Sequence, residues 1–400
     1  MASKSKIIWN YSFEQLFVLF FALYTCRSLY LAFDKASYSG AYTFISLTIA
    51  RLCIPAGIIF LLYNRKIERK NITMLFLPLS YWMMQAIHTT GGYIGGGELT
   101  FVTSAIFVLL SSKIKGKIFR AVYWTVQINN LISLILWCAF FFNDKIGFVK
   151  ELYYAQNGFE TAYYYRWWIF AIYSYGGHSF RLCGIFNEPG VLGTVCALLF
   201  ICTFTQSKWW EKVLLLVTGI LTLSLAFALL IFLFIMLYIC QKRLLNIIYI
   251  FLFLGFFLII PHIDFHNKDI NDLAARFAIT SNGLAGDNRT STLFDIEYQK
   301  FINSNELWFG RGSGTVLASS TSSYKSSYIV PFGIFGTAIL LGSWCFSAYR
   351  YCKKNRHCIL YIIFFFISLY QRPNAILSIW GYVFLFGGVS WIRKMEEGYS

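Results

Sequence analysis

Apolar runs of roughly 17 to 25 residues recur from end to end of this chain, each long enough to cross the hydrocarbon of a bilayer as a helix. The first runs from about Phe13 to Phe33, and a second from Tyr42 to Tyr63 ends at Arg65, Lys66, Arg69 and Lys70. Runs three (Ile72 to Thr89) and four (Leu99 to Leu110) flank a glycine-rich turn, Gly91 to Gly97. A fifth follows Lys113, Lys115, Lys117 and Arg120, and a sixth spans Pro189 to Thr205. The run Val213 to Cys240 is too long for one crossing and has Lys212 before it and Lys242 and Arg243 after it. Equal flanking charge demands a hairpin, whose outer turn falls near Thr222 to Ser224. A ninth run covers Leu244 to Ile260 and a tenth Tyr328 to Tyr349. The last two form a hairpin about Gln371-Arg372-Pro373-Asn374. The pattern predicts an all-α, polytopic transmembrane bundle of about twelve spans in a single integral membrane domain.

Charge then orients the bundle. Composition is 58% hydrophobic and only 13% charged, and the net charge of +16 is gathered in the short segments of one side. That is the positive-inside bias, so both termini are expected in the cytoplasm and the excess reports topology rather than a nucleic-acid partner. The run after Lys4 and Lys6 reads as a retained signal anchor. Two large outer segments remain, 143–188 and 262–325. In the first, Tyr163 to Trp168 suits an interfacial amphipathic helix or a surface that stacks on sugar rings. Most of the ten cysteines fall within apolar runs, where they act as small apolar residues.

Candidate chemistry lies on the outer side. The cytoplasmic segments are too short for a catalytic domain, and no phosphate-binding loop, dinucleotide fingerprint, H-E-x-x-H zinc pattern or G-x-S-x-G elbow is present. No metal or cofactor is expected. Arg27 and Arg51 lie in the outward halves of their spans, where they either snorkel to headgroups or line a polar cavity for an anionic substrate. The glycines 91–97 either make a hairpin or cradle phosphate with backbone amides. At Arg181-Leu182-Cys183-Gly184-Ile185-Phe186-Asn187-Glu188-Pro189-Gly190 an arginine and a carboxylate reach the edge of a span. Glu188 reads as the N-cap of a helix opening at Pro189. Arg181, Gly184 and Glu188 share one face if the approach is helical.

The pattern Arg181-x-x-Gly184-x-Phe186-x-Glu188-Pro189 resembles that of Wzy-type O-antigen and capsule repeat-unit polymerases, relatives of the O-antigen ligases. Arg276, Asp287, Arg289 and Leu307-Trp308-Phe309-Gly310-x-Gly312-x-Gly314 are similar to the second outer loop of that group, and Gly333 to Gly336 to the span after that loop. The ligases carry a histidine late in this loop. Here Ser319 to Tyr328 holds none, which favours polymerase over ligase.

The resemblance implies an enzyme of the bacterial inner membrane that transfers a growing glycan from undecaprenyl pyrophosphate to the next lipid-linked repeat unit. Donor and acceptor are both lipid-linked, the surroundings are membrane lipids, and a chain-length regulator protein is an implied partner. Arg181 and Arg289 suit the pyrophosphate, with Arg276 and Arg311, and Arg27 and Arg51 within the spans, as further binding residues. Glu188 is either the base for the acceptor hydroxyl or the partner that orients an arginine. A ligase, or a lipid-linked oligosaccharide flippase, are the alternatives.

Overall fold

The computed structural model describes residues 13–26, 39–64, 69–87, 97–142, 147–153, 162–167, 169–175, 179–186, 188–240, 258–266, 292–312, 323–352 and 355–397, with short stretches between them. Most of these residues are helical. In chain order the helices include α1 (Phe13–Cys26), α2 (Ser39–Asn64), α3 (Phe76–Ile87), α4 (Gly97–Leu109), α5 (Ser112–Phe142), α6 (Pro189–Thr203), α7 (Trp209–Leu221), α8 (Leu225–Cys240), α9 (Thr292–Ile302), α10 (Glu306–Phe309), α11 (Val330–Cys352), α12 (Arg356–Gln371) and α13 (Gly388–Glu397). The segments Ser112–Phe142 and Lys325–Cys352 are long and apolar enough to cross a membrane, and several other apolar helices are shorter.

The long helix α5 exposes Trp124, Ile128, Leu131, Ile135, Cys138 and Phe142. These positions recur every three or four residues, so they form one stripe along the helix. An outward stripe this apolar, on a helix whose buried side carries Gln127, Asn129, Asn130 and Ser133, suits hydrocarbon better than water. In α7 the exposed residues Trp209, Val213, Val217 and Ile220 repeat it.

The segment between α5 and α6 departs from the all-α expectation. It folds as a four-stranded antiparallel meander, β1 (Val149–Tyr153), β2 (Ala162–Trp167), β3 (Phe170–Tyr175) and β4 (Ser179–Gly184), paired in sequence order. Aromatic residues that would decorate an interfacial helix fit a pleated surface at least as well, and here their alternation decides. Tyr165, Ile172 and Phe180 take one face and pack on Phe140 and Trp137 of α5, with the Trp137 indole donating to the Phe180 carbonyl at 3.3 Å. Tyr164 and Tyr173 take the other face, paired across β2 and β3 with rings 5.4 Å apart. The strand also removes the helical face expected for Arg181, Gly184 and Glu188, because β4 has period two and the chain turns at Gly184.

By its contacts the chain divides into two compact units, Met1–Val126 with Thr290–Ser400, and Gln127–Arg289. In the first, α1 packs on α2 and α4 through stacked rings, Phe17 on Phe60 at 4.8 Å and Phe21 on Phe107 at 5.7 Å. Its C-terminal core buries Trp344, Tyr361 and Tyr382. The same unit contains a helix break. α11 is interrupted at Gly333, whose φ is 65°, and the turn after α10 lies against the break. There Arg311 N donates to Val330 O at 2.8 Å and Gly312 N to Pro331 O at 3.0 Å, so carbonyls released by the break are bonded. Gly310 (φ 82°) and Gly333 approach so closely that a Cβ on either would come within 2.6 Å of the other's segment.

This approach predicts that Gly310→Ala and Gly333→Ala each destabilise the protein by upward of about 2 kcal/mol, from strain and overlap together. Gly342→Ala, on the same helix but with open space around its Cβ, should be neutral or slightly stabilising. Thermal unfolding of the three variants in detergent micelles checks the contrast.

Candidate functional site

The second unit brings together three pieces of chain: the end of β4, the start of α6 and the turn between α7 and α8. Parity explains why they meet. A chain that enters α6, returns through α7 and turns into α8 places the start of α6 and the α7–α8 turn at one end of the three helices. Small residues let the helices close up: a Cβ on Gly193 of α6 would lie 2.6 Å from Ser224, and one on Gly219 of α7 would lie 2.1 Å from Phe227.

The α7–α8 turn leaves carbonyls without helical partners, and its Leu223 adopts φ 46°. Arg181 meets them. Its Nε donates to Thr222 O at 2.9 Å and its Nη2 to Leu223 O at 3.2 Å. A guanidinium on the C-terminal end of α7 is favoured both by hydrogen bonding and by the helix dipole. The same group lies 5.9 Å from the Tyr173 ring on the neighbouring strand. Arg181, half-buried, is therefore first a clamp on the hairpin turn.

Three residues on, Gly184 has φ 60° and sits against α5, where a Cβ would stand 2.6 Å from Asn129 Oδ1 and 2.8 Å from Ser133 Oγ. No side chain fits there. Asn129 Oδ1 in turn accepts from Ile185 N at 3.0 Å and from Ser133 Oγ at 3.3 Å. Phe186 is fully buried. Glu188 is the N-cap of α6 in extended conformation, followed by Pro189 at the first helical position, as its sequence predicts. Its carboxylate does not cap the helix amides. Both charges act on Cys183, which lies between them in sequence: burial pushes the thiol pKa up strongly, Arg181 opposes that rise and Glu188 adds to it. Arg181 and Glu188 thus both lie near Cys183, one on the edge strand of the sheet and one at a helix start.

Two of the other sequence candidates are described, both in the first unit. Arg51 is exposed on α2 in a stripe with Pro55, Ile58 and Leu62, the placement of an arginine that snorkels from an apolar surface. Arg311, in the first unit, pairs through Nε with Glu306 Oε2 at 2.6 Å and lies 5.3 Å from the Phe301 ring. Arg27, Arg276 and Arg289 lie outside the described residues, as do Asp287, the glycines 91–96 and Ser319 to Ser322. Among the described residues no group of three or more His, Cys, Asp or Glu is placed to hold a metal ion.

Sequence reasoning passed over the polar residues of α5 beneath this site. Gln127 Nε2 donates to Glu211 O at 3.2 Å, Asn129 Nδ2 to Asn130 Oδ1 at 3.1 Å, and Asn130 Nδ2 to Cys196 Sγ at 3.4 Å. Cys196 and Thr218 are 3.6 Å apart, which carries the seam from α5 through α6 to α7. The signal was present: Gln127, Asn130 and Ser133 recur at helical spacing inside an otherwise apolar stretch. Comparison with protein-family models, with curated proteins and with solved structures finds no match to this chain.

The clamp predicts that Arg181→Ala costs roughly 2 to 4 kcal/mol, since two carbonyls lose a charged donor, whereas Arg181→Lys recovers part of that loss. Protease sensitivity at 222–224 and the rate of maleimide labelling at Cys183 should both rise in the alanine variant. In the parent protein Cys183 should label only on unfolding, because it is buried and held as the thiol.

Proposed function

We propose that this chain is a Wzy-type polymerase of the bacterial inner membrane, joining undecaprenyl-pyrophosphate-linked oligosaccharide repeat units into a longer glycan. The observation that carries the reading is the placement of Glu188 at the N-cap of α6 and of Arg181 on the α7–α8 turn that packs against Gly193 of the same helix, in the motif on which the resemblance rests and in a chain with two helices long and apolar enough to cross a membrane. The reading includes about twelve spans with both termini in the cytoplasm, so that this end of α6 faces outwards.

The transfer asks for two things. The acceptor hydroxyl must lose its proton as its oxygen attacks the anomeric carbon, and the carbon–oxygen bond to the lipid pyrophosphate must break with its electron pair leaving on the phosphate. Glu188 takes the proton. The α6 N-terminus favours the anionic leaving group, Arg181 adds its charge from the adjoining strand, and Arg289 supplies a second guanidinium from the other outer segment. The clamp is compatible with this role because a guanidinium bonded to carbonyls keeps its positive charge. The substrate carries its own activation, so the scheme needs no nucleotide. Arg276 and Arg311 serve the glycan or its phosphates, and a chain-length regulator protein would set how many units are joined.

In a deletion strain complemented with variants, Glu188→Gln and Arg289→Ala should reduce long-chain polymer at least about tenfold while single repeat units still reach the surface. Protein level and thermal unfolding should match the parent in Glu188→Gln, which separates a chemical from a structural loss. Arg181→Lys, which keeps the charge, should fall between parent and Arg181→Ala. Normal chain lengths in Glu188→Gln and Arg289→Ala would overturn the assignment. A deletion strain that accumulates lipid-linked polymer would instead indicate a ligase, and one that traps single units inside a flippase.

A further inference from the structure

α10 is a single helical turn whose two largest side chains have no core to enter. Trp308 is 48% exposed and Phe309 is 64% exposed, and both rings lie tilted against Phe335 of α11, itself 50% exposed, with ring centroids 5.4 and 5.6 Å apart. In water three such rings together would be a strong aggregation site. Their position along α11 names a different surrounding.

Phe335 belongs to a stripe of exposed residues, Ile334, Phe335, Ile339, Cys345, Phe346 and Tyr349, on one face of that spanning helix. The opposite face, Phe332, Leu340, Trp344, Ala348 and Tyr351, is buried. A helix with an apolar core side and an equally apolar exposed side presents the second to lipid acyl chains. The stripe ends at Arg350, whose guanidinium lies 5.6 Å from the Phe346 ring, the posture of an arginine reaching from hydrocarbon to headgroups. At about 1.5 Å per residue, Phe335 is roughly 22 Å from Arg350 along the helix. The hydrocarbon slab is about 30 Å thick, so Phe335 and the two rings against it lie inside it, near the far rim. Tryptophan, here Trp308, concentrates at that rim.

The geometry points to a lipid-binding surface: Trp308, Phe309 and Phe335 form an aromatic wedge that seats the turn 306–312 in the rim of the bilayer. The polar part of the turn suits this placement, since the Glu306–Arg311 ion pair provides a headgroup-level partner for phosphate and choline or amine groups alike. The backbone is fastened from beneath, through Arg311 N and Gly312 N to the α11 break and by the close approach of Gly310 and Gly333. The wedge therefore fixes the depth at which the outer segment before α11 meets the membrane. It does so whether or not the chain transfers glycan.

The test uses the full chain in phosphatidylcholine–phosphatidylglycerol vesicles. With twelve tryptophans present, the Trp308 contribution is isolated as the difference between parent and Trp308→Phe. Lipid carrying a nitroxide at acyl carbon 5 should quench that contribution at least about threefold more than aqueous iodide does. A photo-crosslinking benzoylphenylalanine at position 309, in native membranes, should yield phospholipid adducts. Greater quenching by iodide, protection from both quenchers, or crosslinks from position 309 to a second copy or another protein would each overturn the proposal. If Trp308→Phe fails to fold, the crosslinked species decides alone.

Discussion

The second unit depends on one interaction, the donation of the Arg181 guanidinium to the carbonyls of the α7–α8 turn. Helices with apolar surfaces can slide past one another at little cost, and close packing at Gly193 and Gly219 sets a distance without fixing a height. A charged fork from β4 onto the backbone of a turn fixes the height. It also satisfies carbonyls that a tight hairpin would otherwise leave unbonded in a poorly solvated place. The strand that precedes α6 is thereby tied to the turn of the helix pair after it, at the end where α6 itself begins.

That tie bears on how a catalytic reading of the motif is to be weighed. Each residue in Arg181-x-x-Gly184-x-Phe186-x-Glu188-Pro189 has a local structural part to play, as a clamp, a left-handed turn against Asn129, a buried ring, an N-cap and a first helical residue in turn. A pattern with this much structural content would persist for folding alone. Glu188 holds the N-cap position in extended conformation without a side-chain cap bond, where Ser, Asp or Asn would bond the helix amides directly.

Helix limits and turns were legible where charge and apolar length constrain each other. The apolar run between Lys212 and Arg243 is too long for one crossing and is basic at both ends, so a hairpin is expected with its turn at Thr222–Ser224; the structure places α7's end and α8's start on either side of it. The sheet was not legible in the same way. Tyr163 to Trp167 is rich in large aromatic residues that suit either a strand or a membrane interface, and only pairing with Phe170 to Tyr175, a contact made across a tight connection, selects the strand. The Arg181 clamp was beyond reach for a related reason: it joins residues 41 and 42 positions apart through backbone carbonyls, which carry no signature of side-chain type.

Asn129 shows how the sheet and the bundle come to share one geometry. Its side-chain oxygen accepts from Ile185 N and from Ser133, and its amide donates to Asn130, which reaches Cys196 of α6. A polar side chain inside an apolar helix is costly unless it is bonded, so this residue confines α5 to the one register in which the turn after β4 and the seam towards α6 are both available. Gly184 completes the constraint, because any Cβ there would push the turn off Asn129. The height of Glu188 is consequently set from two directions, by Asn129 from α5 and by Arg181 from the α7–α8 turn.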